Sequence, residues 1–347
     1  MRLKSFFSMG SPRWVRAMAA LPAVALALPL IAPLALAQDN SPAPASPAES
    51  VSSEKPVSAK PRGTSCPAGV KLSLSAPLAL QGGLVLAEVR SAIALEDVKA
   101  TWGGREAPFW LENASAALPG AAAKESPQTW HALAGVDLEK PAGAYRFTLT
   151  ARPRGGAPLS CSVLLRVRNG RFATERLTID KKFTEPTAEQ ILRANQERER
   201  LRAIFDVVTP GRLWQGGFRI PLDGVTTGGN FGRRRILNGN PGSPHSGVDF
   251  PAVSGTPVHA AQRGRVVLAE ELFFSGNTVV LDHGLGIYTF YGHLESIAVD
   301  PGDLVEAGVE LGKVGATGRV TGPHLHWGLT VVRARVDGLD LVRLLPR

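Results

Sequence analysis

Cysteine is almost missing from this chain of 347 residues: Cys66 and Cys161 are the only two, and neither has the spacing of a metal knuckle or a redox pair. Aromatic side chains are scarce at 6%, while 37 Gly and 27 Pro punctuate the chain, which argues against a helical bundle and for a turn-rich, β-dominated fold. No glycine-rich phosphate loop follows a strand, and strands do not alternate with helices, so dinucleotide and nucleoside-triphosphate chemistry have no support. The helical protease signature of two histidines flanking a glutamate is absent as well. Nor is there a block of one charge sign: in Glu197-Arg198-Glu199-Arg200 the signs alternate and cancel, the mark of a solvated helix face. What remains is a formal charge of +9 and 44% hydrophobic residues, enough for one large or two ordinary domains.

Much of the basic excess has a local cause. Arg2, Lys4, Arg13 and Arg16 precede an uncharged run from Ala17 to Ala37 that ends in Ala35-Leu36-Ala37, the pattern of an export signal spanning 1–37. A retained membrane anchor is the alternative reading of the same run. Removing those four basic residues lowers the charge from +9 to +5, which weakens the case for a nucleic-acid partner. Residues 38–63, rich in Ala, Pro and Ser, read as an extended linker. Export to the periplasm or cell envelope would put both cysteines where thiols oxidise, so a Cys66–Cys161 disulfide is expected.

The remainder is expected to be mainly β. Runs such as Val70-Lys71-Leu72-Ser73-Leu74, Leu84-Val85-Leu86-Ala87-Glu88-Val89, Tyr145-Arg146-Phe147-Thr148-Leu149 and Val163-Leu164-Leu165-Arg166-Val167 suggest a small antiparallel, immunoglobulin-like β-sandwich over 64–170, with the cysteines in its first and last strands. A connecting segment over 171–210 contains a helix at 187–206, whose apolar face is Leu201, Ile204, Phe205 and Val208. Residues 211–347 return to short β runs, expected to form an antiparallel sheet or barrel-like domain.

Six of the seven histidines lie within 82 residues of that last domain: His245, His259, His283, His293, His324 and His326. His245 and Asp249 stand four apart, with Pro244 and Gly247 opposing a helix. His324 and His326 stand at strand spacing, where i and i+2 share a face. Two imidazoles and a carboxylate with a fourth position open suit catalytic Zn²⁺ rather than Ca²⁺ or Mg²⁺, which prefer oxygen shells. His259, His283 and His131 sit beside turns or far from these motifs and read as structural.

Four ordered elements, Phe231-Gly232-Arg233-Arg234, His245-Ser246-Gly247-Val248-Asp249, Tyr291-Gly292-His293-Leu294 and Gly318-Arg319-Val320-Thr321-Gly322-Pro323-His324-Leu325-His326, together resemble the lysostaphin-type, or LytM-like, zinc endopeptidases that cut peptide bridges in bacterial peptidoglycan. The resemblance covers about residues 214–333. It implies that His245, Asp249 and His326 hold one zinc ion, that His293 and His324 are catalytic, and that peptidoglycan stem peptides are the substrate. The chain departs from the family after the histidine pair, continuing Val336-Asp337-Gly338-Leu339-Asp340-Leu341 where a proline-containing turn is common. Members that have lost zinc ligands act as binding modules that activate other hydrolases, so a non-catalytic cell-wall activator is the alternative; here all five residues are kept. A biotinyl or lipoyl carrier barrel, suggested by Gly255-Thr256-Pro257-Val258 and Gly302-Asp303-Leu304-Val305, lacks the lysine-bearing hairpin tip it would need.

Overall fold

The computed structural model describes residues 66–67, 69–112 and 127–345; the expected export signal and the whole of the linker lie outside the described residues. The first half holds β1 (Val70–Leu74), β2 (Leu78–Leu80), β3 (Leu84–Ser91), β4 (Leu95–Trp102), β5 (Arg105–Pro108), β6 (Trp110–Leu111), β7 (Gln128–Gly135), β8 (Gly143–Pro153) and β9 (Leu159–Arg168). They form two sheets, β1-β3-β7-β6 and β2-β9-β8-β4-β5. Alternation decides which face is buried: along β8, Tyr145, Phe147, Leu149 and Ala151 point inward and meet Leu72, Val85, Ala87 and Val89 of the facing sheet.

Two details differ from the sequence expectation. The arrangement is not purely antiparallel, because the chain crosses between sheets after β1 and lays β2 parallel to β9. Cys66 precedes the first strand rather than sitting in it, and its disulfide to Cys161 on β9 ties the chain entry to the sandwich, with Cα atoms 4.8 Å apart.

The connecting segment is more structured than a tether. It contributes β10 (Thr174–Leu177), a short turn of helix at Lys181–Phe183, and α1 (Ala188–Asp206). Thr187 caps α1 through a reciprocal capping box with Gln190. Leu201, Ile204 and Phe205 pack on Leu268, Leu272, Val280 and Tyr288. Val208 lies past the helix end and is exposed, so it does not extend that face. The charged run is also not merely solvated: Glu197 accepts a hydrogen bond from the Phe273 backbone N–H at 2.8 Å, and Arg200 pairs with Glu270.

The second half contains β11 (Arg234–Leu237), β12 (Asn240–Pro241), β13 (Gly247–Pro251), β14 (Pro257–His259), β15 (Gly264–Leu272), β16 (Gly276–Asp282), β17 (Ile287–Ile297), β18 (Leu304–Val305), β19 (Glu310–Val314), β20 (His324–Val331), β21 (Ala334–Val336) and α2 (Gly338–Leu344). The main sheet runs β13-β20-β17-β16-β15-β18, with β14, β19 and β21 attached beside it, and its two edges do not pair to close a barrel. The stretch after the histidine pair forms β21 and then α2, capped by Asp337, and Leu341 on α2 is fully buried. No helix among the described residues is long and apolar enough to cross a membrane.

The two halves share one core. Leu84, Trp110 and Leu133 of the sandwich join Trp214, Leu329 and Val331 in a single apolar cluster, and the Trp110 and Trp214 rings meet edge to face at 5.6 Å. Beside it, Arg335 makes a two-pronged contact with Asp137, at 3.0 and 2.8 Å.

Closing a loop across a sequence separation of 95 residues is worth at most about 4–5 kcal/mol through the unfolded state. Reduction should therefore lower the denaturation midpoint, and amide exchange should rise first along β1 and β9. Superimposable unfolding curves before and after reduction would contradict a stabilising role for this bridge.

Candidate metal centre

The site is built at the junction of β13, β17 and β20. Antiparallel register sets Asp249 directly opposite His326 and Gly292 opposite the same histidine on the other side. Strand periodicity turns His324 to the same face as His326. His245 enters from the loop before β13, where its N–H bonds to the Arg233 carbonyl at 2.9 Å. Gly247 lies between these ligands for a steric reason: a Cβ there would stand 2.6 Å from the His326 ring. Any side chain at this position displaces that imidazole.

Three donor atoms of His245, Asp249 and His326 lie within 4.8 Å of one another. His245 Nε2 and His326 Nδ1 are 3.1 and 3.0 Å from Asp249 Oδ1, and 2.9 Å from each other. Burial works against a charged Asp249, but the hydrogen bonds from His245 and His326, with their charge, outweigh it and hold the carboxyl far below the usual carboxylate range.

Backbone carbonyls select the imidazole tautomers. His245 Nδ1 lies 2.8 Å from the Asn230 carbonyl, His293 Nδ1 2.8 Å from that of Thr317, and His324 Nδ1 2.9 Å from that of Gly322. A carbonyl only accepts, so in each ring Nδ1 carries a proton; His293 and His324 are left with Nε2 lone pairs, whereas His245 Nε2 faces Asp249 Oδ1 and His326 Nδ1. His293 and His324 stand side by side, ring centroids 4.8 Å apart, and His293 is 5.9 Å from the His326 ring. Burial, reinforced by the neighbouring His326 and His324, pushes the His293 pKa down to about 3, so its imidazole is neutral at pH 7.

His293 occupies the left-handed region at φ 64°, rare for a residue with a side chain. Here β17 leaves β20, its partner up to Gly292, and takes β19, its partner from Leu294. The switch turns the His293 ring out of the strand alternation and towards the cluster.

Several supporting residues were not apparent from the sequence. Arg235 Nη2 reaches Asp249 Oδ2 at 3.3 Å, and Glu175, paired with Arg235 by the parallel register of β10 on β11, lies 3.8 Å from Arg235 Nε. Glu175 also meets Arg233 at 3.4 Å. Nothing in the spacing of the motifs links Glu175 to a carboxylate more than seventy residues later. The Phe231-Gly232-Arg233-Arg234 element serves mainly through its backbone, with Gly232 N–H donating to the His245 carbonyl at 2.8 Å.

The other histidines lie outside the cluster. His283 is enclosed between the Arg263 carbonyl and the Thr289 hydroxyl, at 2.8 and 2.7 Å, and burial lowers its pKa to about 4. His259 faces Asp223 at 3.2 Å, and His131 lies 3.6 Å from Glu88 in the sandwich.

Residues 243–338 match peptidase family M23. Among curated proteins, the chain is similar to the peptidoglycan DD-endopeptidase ShyB of Vibrio cholerae, 37% identical over 125 residues that make up 35% of this chain and 29% of ShyB. It is 46% identical to the peptidoglycan DD-endopeptidase ShyA of the same organism over 93 residues, 27% of this chain and 21% of ShyA. The chain thus spans less than a third of the length of these curated relatives. A crystal structure from Pseudomonas aeruginosa assigned to peptidase M23 superposes with a TM-score of 0.55 at 27% identity, covering 76% of this chain and 94% of that one. That share is too large for the C-terminal half alone and takes in part of the N-terminal sheets. The segment that matches peptidase family M23 thus carries His245, Asp249 and His326.

Proposed function

We propose that this protein is an exported zinc-dependent endopeptidase that hydrolyses peptide cross-links of bacterial peptidoglycan. The observation that carries this reading is the meeting of His245 Nε2, Asp249 Oδ1 and His326 Nδ1 beside two further imidazoles that have their own carbonyl partners. The donor set fits zinc: two nitrogens and one carboxylate oxygen, largely buried, with no thiolate. The two imidazole nitrogens and the carboxylate oxygen crowd one point, an arrangement that a shared cation relieves. The relatives named as peptidoglycan DD-endopeptidases support the substrate class. Retention of all five residues favours catalysis over a non-catalytic activator.

His245, Asp249 and His326 would hold one zinc ion per chain. When bound, the metal supplies Lewis acidity and brings the pKa of water towards neutrality. The remaining work falls to the protein. His293 and His324 each present a free Nε2 to the site: one lone pair accepts the proton of the attacking water, and the resulting imidazolium returns it to the leaving amine. A protonated ring also donates to the oxyanion that develops on the scissile carbonyl. The two rings share these duties, since they stand together on one side of the cluster. Arg235 holds the outer oxygen of Asp249 and so keeps the inner one turned to the two imidazoles.

His326→Ala should abolish stoichiometric zinc by elemental analysis. His293→Ala should keep about one zinc per chain yet lose on the order of 10²–10⁴ in turnover of purified cross-linked peptidoglycan. Equal metal loss in both variants would refute the division of roles, and a zinc-free, inert wild-type protein would refute the hydrolase itself.

Arg235→Met tests the support of Asp249. Zinc affinity measured by chelator competition should fall roughly 10–100-fold while the far-ultraviolet spectrum is unchanged. Unaltered affinity would show that Asp249 is positioned without it.

A further inference from the structure

Arg319 is the charged residue of the fourth sequence element, and neither the His245–Asp249–His326 cluster nor the paired histidines use it. It lies on the loop between β19 and β20, two residues beyond Thr317, whose carbonyl holds His293. Its backbone N–H is fixed to the Phe274 carbonyl at 2.8 Å, and its guanidinium stands 4.5 Å from the Phe274 ring centroid. Phe274 is held in turn by Phe183 and Phe273, with ring centroids at 6.2 and 4.8 Å. The turn that carries it is anchored at both ends: Glu197 takes the Phe273 N–H, and the Ser275 carbonyl takes the His293 N–H at 2.7 Å. The guanidinium thus stacks on the turn whose Ser275 carbonyl holds the His293 backbone.

Among the described residues its charge has no carboxylate partner. Burial and the nearby Arg235 both disfavour the cation and lower its pKa to about 10, and among the described residues no carboxylate acts on it in the opposite direction. A largely buried arginine without an anion is costly, and such a group is retained where an incoming anion completes it. Arg235, by contrast, is already engaged by Asp249 and Glu175. Arg235, whose Nη2 reaches Asp249 Oδ2, lies near enough for its charge to act on Arg319. Stacking on Phe274 occupies one face of the guanidinium and leaves its edge N–H groups for a planar, two-oxygen acceptor.

We propose that Arg319 binds a free carboxylate of the substrate peptide adjacent to the scissile amide, so that the enzyme selects cross-links carrying an unblocked acid at that position. This inference rests on the hydrolase reading and adds a specificity-determining contact to it. A neutral amide at the same position would leave the guanidinium buried and unpaired, which is how a site built for one polar group rejects its analogue.

The test uses two synthetic cross-linked peptides that differ only in whether the carboxyl next to the scissile bond is free or amidated. The zinc-loaded wild-type protein should cut the acid with a kcat/KM at least about tenfold above that of the amide. Arg319→Gln should bring that ratio near one, and Arg319→Lys should restore part of it, since a point charge still attracts the acid without the fork. Binding of the two peptides to zinc-depleted protein, followed by calorimetry, should show the same preference and the same loss in Arg319→Gln. Equal cleavage of both peptides by wild type, or a ratio untouched by the substitution, would overturn the carboxylate contact alone. Failure of wild type to cut either peptide would overturn the hydrolase reading and this contact with it.

Discussion

Antiparallel pairing of β13 with β20 is the constraint on which the site depends. With Asp249 opposite His326 and Pro251 opposite His324, two strands lay a carboxylate and two imidazoles on one face. A slip of one residue would turn every one of these side chains to the other face, because strand periodicity is two. The register is fixed by what lies on the reverse side: Val248, Phe250, Leu325 and Trp327 are buried in the apolar core and cannot be exposed without losing it. The hydrophobic effect thus sets the geometry of the cluster indirectly, by deciding which way the polar alternates must point.

Around that pair, backbone groups do most of the aiming. Carbonyls of Asn230, Thr317 and Gly322 fix three imidazole tautomers, and each belongs to a loop that is itself pinned to a strand. The connecting segment takes part as well. Through β10 it adds a strand beside β11, places Glu175 on Arg235, and buries Phe183 against Phe273 and Phe274. Chain that looks like a spacer between two domains therefore forms part of the wall of the candidate site.

The meeting of His245, Asp249 and His326 was legible because the spacing is local: His245 and Asp249 share one short segment, and His324 and His326 share one strand. The β character of both halves was legible from alternation in runs such as Tyr145-Arg146-Phe147-Thr148-Leu149. What escaped the sequence arises from contacts between distant segments. Glu175 meets Arg235 only because β10 and β11 run in parallel, and His293 faces the site only because β17 changes partners there. The helix α2 was missed because seven residues carry too little periodic signal, and its placement is decided by Leu341 finding the core. The charged face of α1 misled for the same reason: alternating signs suggest solvent, whereas Glu197 and Arg200 find partners on β15 and the turn after it.

Trp110 and Trp214, with Leu84 and Leu133 buried among residues of the C-terminal half, have an evolutionary consequence. Two domains joined by a flexible tether can be shuffled between genes as separate cassettes, each keeping its own stability. Here a recombination event at the connecting segment would strand large apolar surfaces on both fragments and cut Glu175 off from Arg235 beside the candidate site. A substitution on either side of the seam is felt across it, so in this chain the sandwich and the C-terminal sheet share their stability.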